Sequence, residues 1–363
     1  MGQSKKTIDE DTLASALVRE ISVLAGERLR LMEVCGTHTV SIFRSGIRSL
    51  LPEGIELVSG PGCPVCVTPV GEIDRAIALT HLEDVILLTF GDLMRVPGSS
   101  SSFNHERAQG RDIRVVTSPL DAVQIALEEP KKKIIFFGVG FETTSPSIAA
   151  AVKEAKRKGV GNLYLLSCQR LIPPALKALL SSGKVHIDGF LLPGHVSVII
   201  GKDPYAFLVH DFSLRGVITG FDAIDILEGI YMLVRQKEEG RFEIENQYVR
   251  AVRDEGNRRA REFMDEVFEP VAARWRGLGM IPESGLALKE AFKDIDAAEA
   301  FSVPYEDKED PPGCACGEIL QGLKRPPDCL LFGKRCTPED PVGPCMVSSE
   351  GSCAAFYRYG VSR

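Results

Sequence analysis

The sequence predicts an α/β protein: two similar α/β domains with mainly parallel sheets, followed by a C-terminal helical, cysteine-rich domain. Three observations carry this. Eight short apolar runs recur between about residues 29 and 221, each ending in Gly, Pro or a reactive side chain. Helical patterns separate them, as βαβ crossovers require. Six of the ten cysteines are crowded between Cys314 and Cys353, where periodicity fades.

The runs are Leu29–Cys35, Ile55–Gly60, Val85–Phe90, Ile113–Ser118, Lys133–Gly138, Leu163–Cys168, Gly189–Leu192 and Gly216–Gly220. They lack alternation, which suits strands buried on both faces. Glu72–Thr80, Leu120–Leu127 and Ser147–Lys156 read as intervening helices. Four units followed by four more divide the chain into residues 1–125, 126–225 and 226–363. In the last region Ile226–Glu238 reads as a helix and Tyr248–Phe268 as a long amphipathic one. A Gly/Pro-rich stretch with the only tryptophan, Trp275-Arg276-Gly277-Leu278-Gly279, comes next. The tail from Asp307 is rich in Pro, Gly and Cys, and such a segment usually needs a metal or cluster to hold its shape.

Composition excludes several classes. With 44% hydrophobic and 26% charged residues the chain is globular rather than disordered. A net charge of −7 argues against a grip on nucleic-acid backbone. No apolar run reaches membrane-spanning length. The first residues are charged, without the apolar core of a secretory signal, and Lys6 stands where a myristoylation signal needs Ser or Thr. The expectation is a soluble, cytoplasmic protein whose clustered cysteines serve metal or redox chemistry rather than cross-linking.

Ligands of open α/β sheets sit beyond the C-terminal strand ends, and the unusual residues fall there. Cys35 and His38 follow the first run, and Cys63-Pro-Val-Cys66 the second. Asp92 follows the third, Glu142 the fifth and His195 the seventh, while the sixth ends at Cys168. Cys63 and Cys66 have the spacing of a redox dithiol, with half of a zinc site as the alternative, Cys35 and His38 completing it. Cys35 beside His38 suits iron or another borderline metal, or a Cys/His nucleophile, or a buried strand-end cysteine. Asp92 and Thr143 taken singly are good helix caps. Neither a Gly-x-Gly-x-x-Gly fingerprint with its acidic partner nor a Walker A sequence is present. In the tail, Cys316, Cys329, Cys336 and Cys353 form a four-thiolate set that fits an iron–sulfur cluster better than a four-cysteine zinc site, with Cys314 and Cys345 as spares.

Five motifs in order resemble the HypD family of hydrogenase maturation proteins. They are Met-Glu-Val-Cys35-Gly-Thr-His38-Thr, Gly-Pro-Gly-Cys63-Pro-Val-Cys66-Val-Thr-Pro, Gly-Phe-Glu142-Thr-Thr, Pro-Gly-His195-Val-Ser-Val-Ile-Ile-Gly and Gly-Pro-Cys-Met-Val-Ser-Ser-Glu350-Gly-Ser-Cys353. The resemblance runs from about residue 28 to the C-terminus. It implies a redox-active assembly scaffold that, with the small chaperone HypC, holds an iron acquiring two cyanides and one carbon monoxide for [NiFe]-hydrogenase. Cyanide would come from HypE, charged by HypF, and the hydrogenase large subunit would be reached through HypC. The resemblance also implies that Cys35 holds the Fe(CN)2CO iron, that Cys63 and Cys66 are a redox dithiol, and that Cys316, Cys329, Cys336 and Cys353 bind a [4Fe-4S] cluster. Where some members carry a second histidine, in His-Thr-His, this chain has Val40, so only His38 is carried over. The other reading is a stand-alone thiol–disulfide reductase fed by the cluster. A third, a structural zinc protein, would be colourless.

Overall fold

The computed structural model describes residues 10–26 and 28–360; the Met1–Lys6 segment read for targeting signals lies outside them. All eight expected strands form: β1 Leu29–Glu33, β2 Ile55–Ser59, β3 Val85–Thr89, β4 Ile113–Val115, β5 Lys133–Gly140, β6 Leu163–Gln169, β7 Gly189–Pro193 and β8 Arg215–Thr219. A short β9, Ile244–Asn246, follows. All pairings among these nine are parallel. β3, the sequence Val-Ile-Leu-Leu-Thr, is buried along its whole length, as a strand covered on both faces should be.

The strands group differently from the sequence expectation. One sheet has the order β2-β1-β7-β8-β9 and the other β4-β3-β5-β6. The chain starts the first sheet, leaves to build the whole of the second, and returns. A boundary at 125/126 therefore falls inside the four-stranded sheet, between β4 and β5. One at 225/226 falls inside the helix Ala223–Glu238. Such βαβ units look alike in sequence whichever sheet they join, because their crossovers are of similar length and pattern.

This interleaving creates two topological switch points, between β1 and β7 and between β3 and β5. Cys35 and His195 follow the strands at the first, Asp92 and Glu142 those at the second. Residues from both C-terminal edges, among them Val34, Cys63, Phe141, Cys168 and Val196, share one central core. Separate apolar layers cover the outer faces. The first sheet packs against the helices Glu10–Leu24 and Ala223–Glu238, and the second against Pro119–Glu128 and Ser145–Arg157.

The third region is less helical than its pattern predicts. Within Tyr248–Phe268 only Arg258–Val267 is helical. Gly256 adopts φ +72°, which stops a helix there, and the Asn257 side chain accepts from the Ala260 N–H to start a new one. The stretch around the tryptophan is an antiparallel hairpin of β10, Phe268–Trp275, and β11, Gly279–Leu288. The tail carries only short helices: Cys316–Leu320, Pro344–Val347 and Ser352–Tyr359. Among the described residues no helix is long and apolar enough to cross a membrane.

Candidate functional site

Cys35 lies two residues beyond β1, in extended conformation at the N-cap of the helix Gly36–Arg44. Its loop touches the loop before Cys63. The Gly36 N–H donates to the Gly62 carbonyl at 3.0 Å, and a Cβ on Gly62 would lie 2.3 Å from the Cys35 nitrogen. Only glycine allows that approach. Burial pushes the Cys35 thiol up to about 11, and the Glu350 carboxylate pushes the same way. The backbone N–H groups of His38 and Thr37 oppose both.

His38 is fully buried. Its Nε2 lies 2.9 Å from the Gly220 carbonyl, which only accepts, so Nε2 carries the proton. Burial, foremost, lowers its pKa to about 4, so the ring is neutral and Nδ1 is left as an acceptor without a hydrogen-bond partner among the described residues. Phe221 stacks on His38 at 4.8 Å and on His195 at 3.8 Å. His195 is exposed by surface area, and the partial desolvation of its ring lowers its pKa.

Cys63 and Cys66 form a disulfide across the short helix Pro64–Val67, and the Cys66 N–H donates to the Cys63 sulfur at 3.1 Å. A strap from the C-terminal tail lies over both loops. Ser348 Oγ is 3.4 Å from the Cys63 sulfur, and Thr37 donates to Glu350 at 2.7 Å. Asp92 Oδ2 fastens the strap, accepting from the Ser349 N–H at 3.1 Å and from the Ser349 and Ser348 hydroxyls at 3.0 and 3.3 Å. Asp92, one of the unusual strand-end residues, is the clasp of the strap. Glu350 is the site residue to which sequence reasoning gave no role. Burial, foremost, raises its pKa, with Asp92 adding to the rise and Thr37 opposing it. Its only sequence signal was its place in the last motif.

Glu142 is buried, one oxygen accepting the Ile172 N–H at 2.9 Å and the other having no hydrogen-bond partner among the described residues. Burial raises it to about 7. Cys168 is a buried free thiol, pushed up to about 12 chiefly by burial, 3.9 Å from the Thr68 hydroxyl.

The tail thiols differ from the expected set. Cys316 forms a disulfide with Cys345, and Cys314 is free together with Cys329, Cys336 and Cys353. Their helices explain the pairing: Cys316–Leu320 and Pro344–Val347 both pack on the Pro64–Val67 helix, which brings their cysteines together. Cys316 is thus not one of the four free thiols, and Cys345 is no bystander. The free four sense one another. The Cys353 thiol is held well above its ordinary value by burial and then by Cys336, Cys314 and Cys329. Among the described residues no three His, Cys, Asp or Glu side chains form a group that closes on a single metal ion.

A family model described as "HypD: Hydrogenase formation hypA family" matches residues 12–360. This chain belongs to the HypD family. It is 47% identical over 358 residues to hydrogenase maturation factor HypD2 of Bradyrhizobium diazoefficiens, covering 96% of this chain and 94% of the relative. It is 45% identical over 368 residues to HypD of Rhizobium leguminosarum bv. viciae, covering 98% and 96%. With HypD of Escherichia coli K12 it shares 45% identity over 341 residues, covering 93% and 91%. The match of the family model takes in both sheets, the strap and the tail thiols.

Proposed function

We propose that this chain is a [NiFe]-hydrogenase maturation factor that holds iron at Cys35 while cyanide and carbonyl ligands are added. The observation that carries the reading is the placing of Cys35. The thiol sits at a switch point, with Gly62 pressed against its backbone and the neutral His38 three residues on, and one thiolate so placed can hold a metal ion whose coordination is completed from outside. The iron is cargo. A HypC-type chaperone supplies the second thiolate, HypE delivers cyanide, and the hydrogenase large subunit receives the product through HypC.

Within the chain, the Glu350–Thr37 pair and the Asp92 clasp hold the strap across the Cys35 and Cys63 loops. Cys63 and Cys66 exchange two electrons and two protons by opening and closing their disulfide. Cys316 and Cys345 form a second such pair against the same helix. The free thiols Cys314, Cys329, Cys336 and Cys353 fit a [4Fe-4S] cluster. Four thiolates are its donor set, and a four-iron cube spreads its ligands more widely than one ion does. When bound, the cluster supplies electrons one at a time.

The two disulfides beside that set favour a second reading, a stand-alone cluster-dependent thiol–disulfide reductase. The two readings part at Cys35. An infrared spectrum of the protein purified with its HypC-type partner is expected to show bound cyanide and carbonyl, and Cys35→Ala to remove those bands while leaving the brown colour. Bands that survive in Cys35→Ala, with hydrogenase still matured, would make the reductase the better reading.

A further inference from the structure

The Trp275-Arg276-Gly277 segment has no part in the function proposed above, yet it holds a cation at the junction of the redox groups. Arg276 is 3% exposed. Its backbone N–H donates to the Val67 carbonyl at 2.8 Å and its Nε to the Thr68 carbonyl at 3.0 Å, so it grips the two residues that follow Cys66. The next residue, Gly277, has φ +77°, and a Cβ there would lie 2.3 Å from the Gly317 Cα. The Arg276 backbone is thereby pinned beside the turn that carries Cys314 and Cys316. Nη1 pairs with Asp310, which is itself partly exposed. Nη2 is buried and has no hydrogen-bond partner among the described residues.

Asp310 answers Nη1 alone, and a buried guanidinium N–H left without a partner is costly. Cys314, one of the four free thiols, lies close enough to act on the Arg276 charge, and Arg276 acts on Cys314 in return. A four-iron cluster with four thiolates is anionic, and N–H donors and positive charge near its sulfurs raise its reduction potential. We propose that Arg276 is the electrostatic partner of the iron–sulfur group held by Cys314, Cys329, Cys336 and Cys353, donating from Nη2 and raising that group's potential toward that of the Cys63–Cys66 pair. This rests on the cluster reading above. Arg276 is a positioning residue: it is fixed to the Cys66 side through the Val67 and Thr68 carbonyls, and its unpartnered Nη2 is the donor left for the cluster side.

The test is a dithionite titration of the full-length protein followed by electron paramagnetic resonance, with iron per chain measured on the same samples. Arg276→Gln is expected to keep its iron and to take up the electron about tenfold less favourably, a downward shift of ~59 mV for a one-electron couple. Arg276→Lys, which keeps the charge, is expected to recover most of the shift. Asp310→Asn removes the competing anion and is expected to shift the potential upward, which decides the matter if Arg276→Gln does not fold. Wild-type potential in Arg276→Gln with full iron, or no upward shift in Asp310→Asn, overturns the role of Arg276 alone. Wild-type protein that binds no iron on reconstitution overturns the cluster reading and this inference with it.

Discussion

The two thiol centres are built on opposite principles. Cys35 and Cys63 sit at the ends of fully packed strands, where each loop is fixed by backbone contacts such as Gly62 against Cys35. Cys314, Cys329, Cys336 and Cys353 hang on a tail of short helices and turns. The frame is held by its own strands, whereas the tail is held by the Cys316–Cys345 disulfide and by short helices packed on the central core. Chemistry at the frame is therefore separable from folding, while the cluster proposed for the tail would couple the two there.

The sharpest way to break that contrast lies in the tail. Cys353→Ala and Cys314→Ala are expected to lose most of the bound iron and to melt the tail, read as iron per chain and as a lowered thermal midpoint. Cys316→Ala is expected to keep its iron. The reverse pattern, with Cys314→Ala retaining iron and Cys316→Ala losing it, would falsify the proposed set of four ligands.

The frame should respond to pH through Glu142. Burial carries this carboxyl from 4.5 to about 7. Between those values the folded chain keeps a proton that the unfolded chain has released, so stability falls as pH rises through this window and is level above it. The full difference is about 3 kcal/mol. Glu142→Gln is expected to flatten the urea midpoint between pH 5 and pH 8. An equally steep dependence in the variant would assign the slope to another group.

Gly62→Ala sharpens the contrast by crowding the frame directly. Overpacking of this kind costs about 1–3 kcal/mol, and here it should push Cys35 out of place while leaving tail iron untouched. Unchanged stability together with normal ligand bands would show that the two loops are free to part.

The smallest effect is expected from Glu350→Gln. Its carboxylate helps to push the Cys35 thiol up to about 11, so its removal should lower that value and speed alkylation of Cys35 severalfold between pH 8 and 10. An unchanged pH–rate profile would leave burial as the whole cause.

The frame was legible in the sequence because burial on both faces writes a strand as an unbroken apolar run. All eight strands followed from that, and so did the places of Cys35, Asp92, Glu142 and His195 beyond their C-terminal ends. Sheet membership was not legible, since a crossover from β2 to β3 looks like one from β1 to β2. The break before Arg258 hung on one glycine, Gly256, inside an otherwise helical pattern. In the tail, six cysteines offered many subsets of four. The choice depends on which helices pack against Pro64–Val67, and that is a tertiary fact with no local signal. The same holds for the strap: Glu350 meets Thr37 across most of the chain's length.

The interleaved sheets also set an order of assembly. β1 and β2 leave the ribosome early, but Leu31 of β1 pairs with Gly189 of β7. The first sheet therefore waits, one edge unpaired, until the whole of the second has been made. Pairing over such a span is slow, and an open strand edge invites aggregation meanwhile. The strap residues Ser348–Glu350 are synthesised later still. Cys35 thus spends most of the chain's synthesis as an uncovered thiol beside an open strand edge, and closure over it is among the last events of folding.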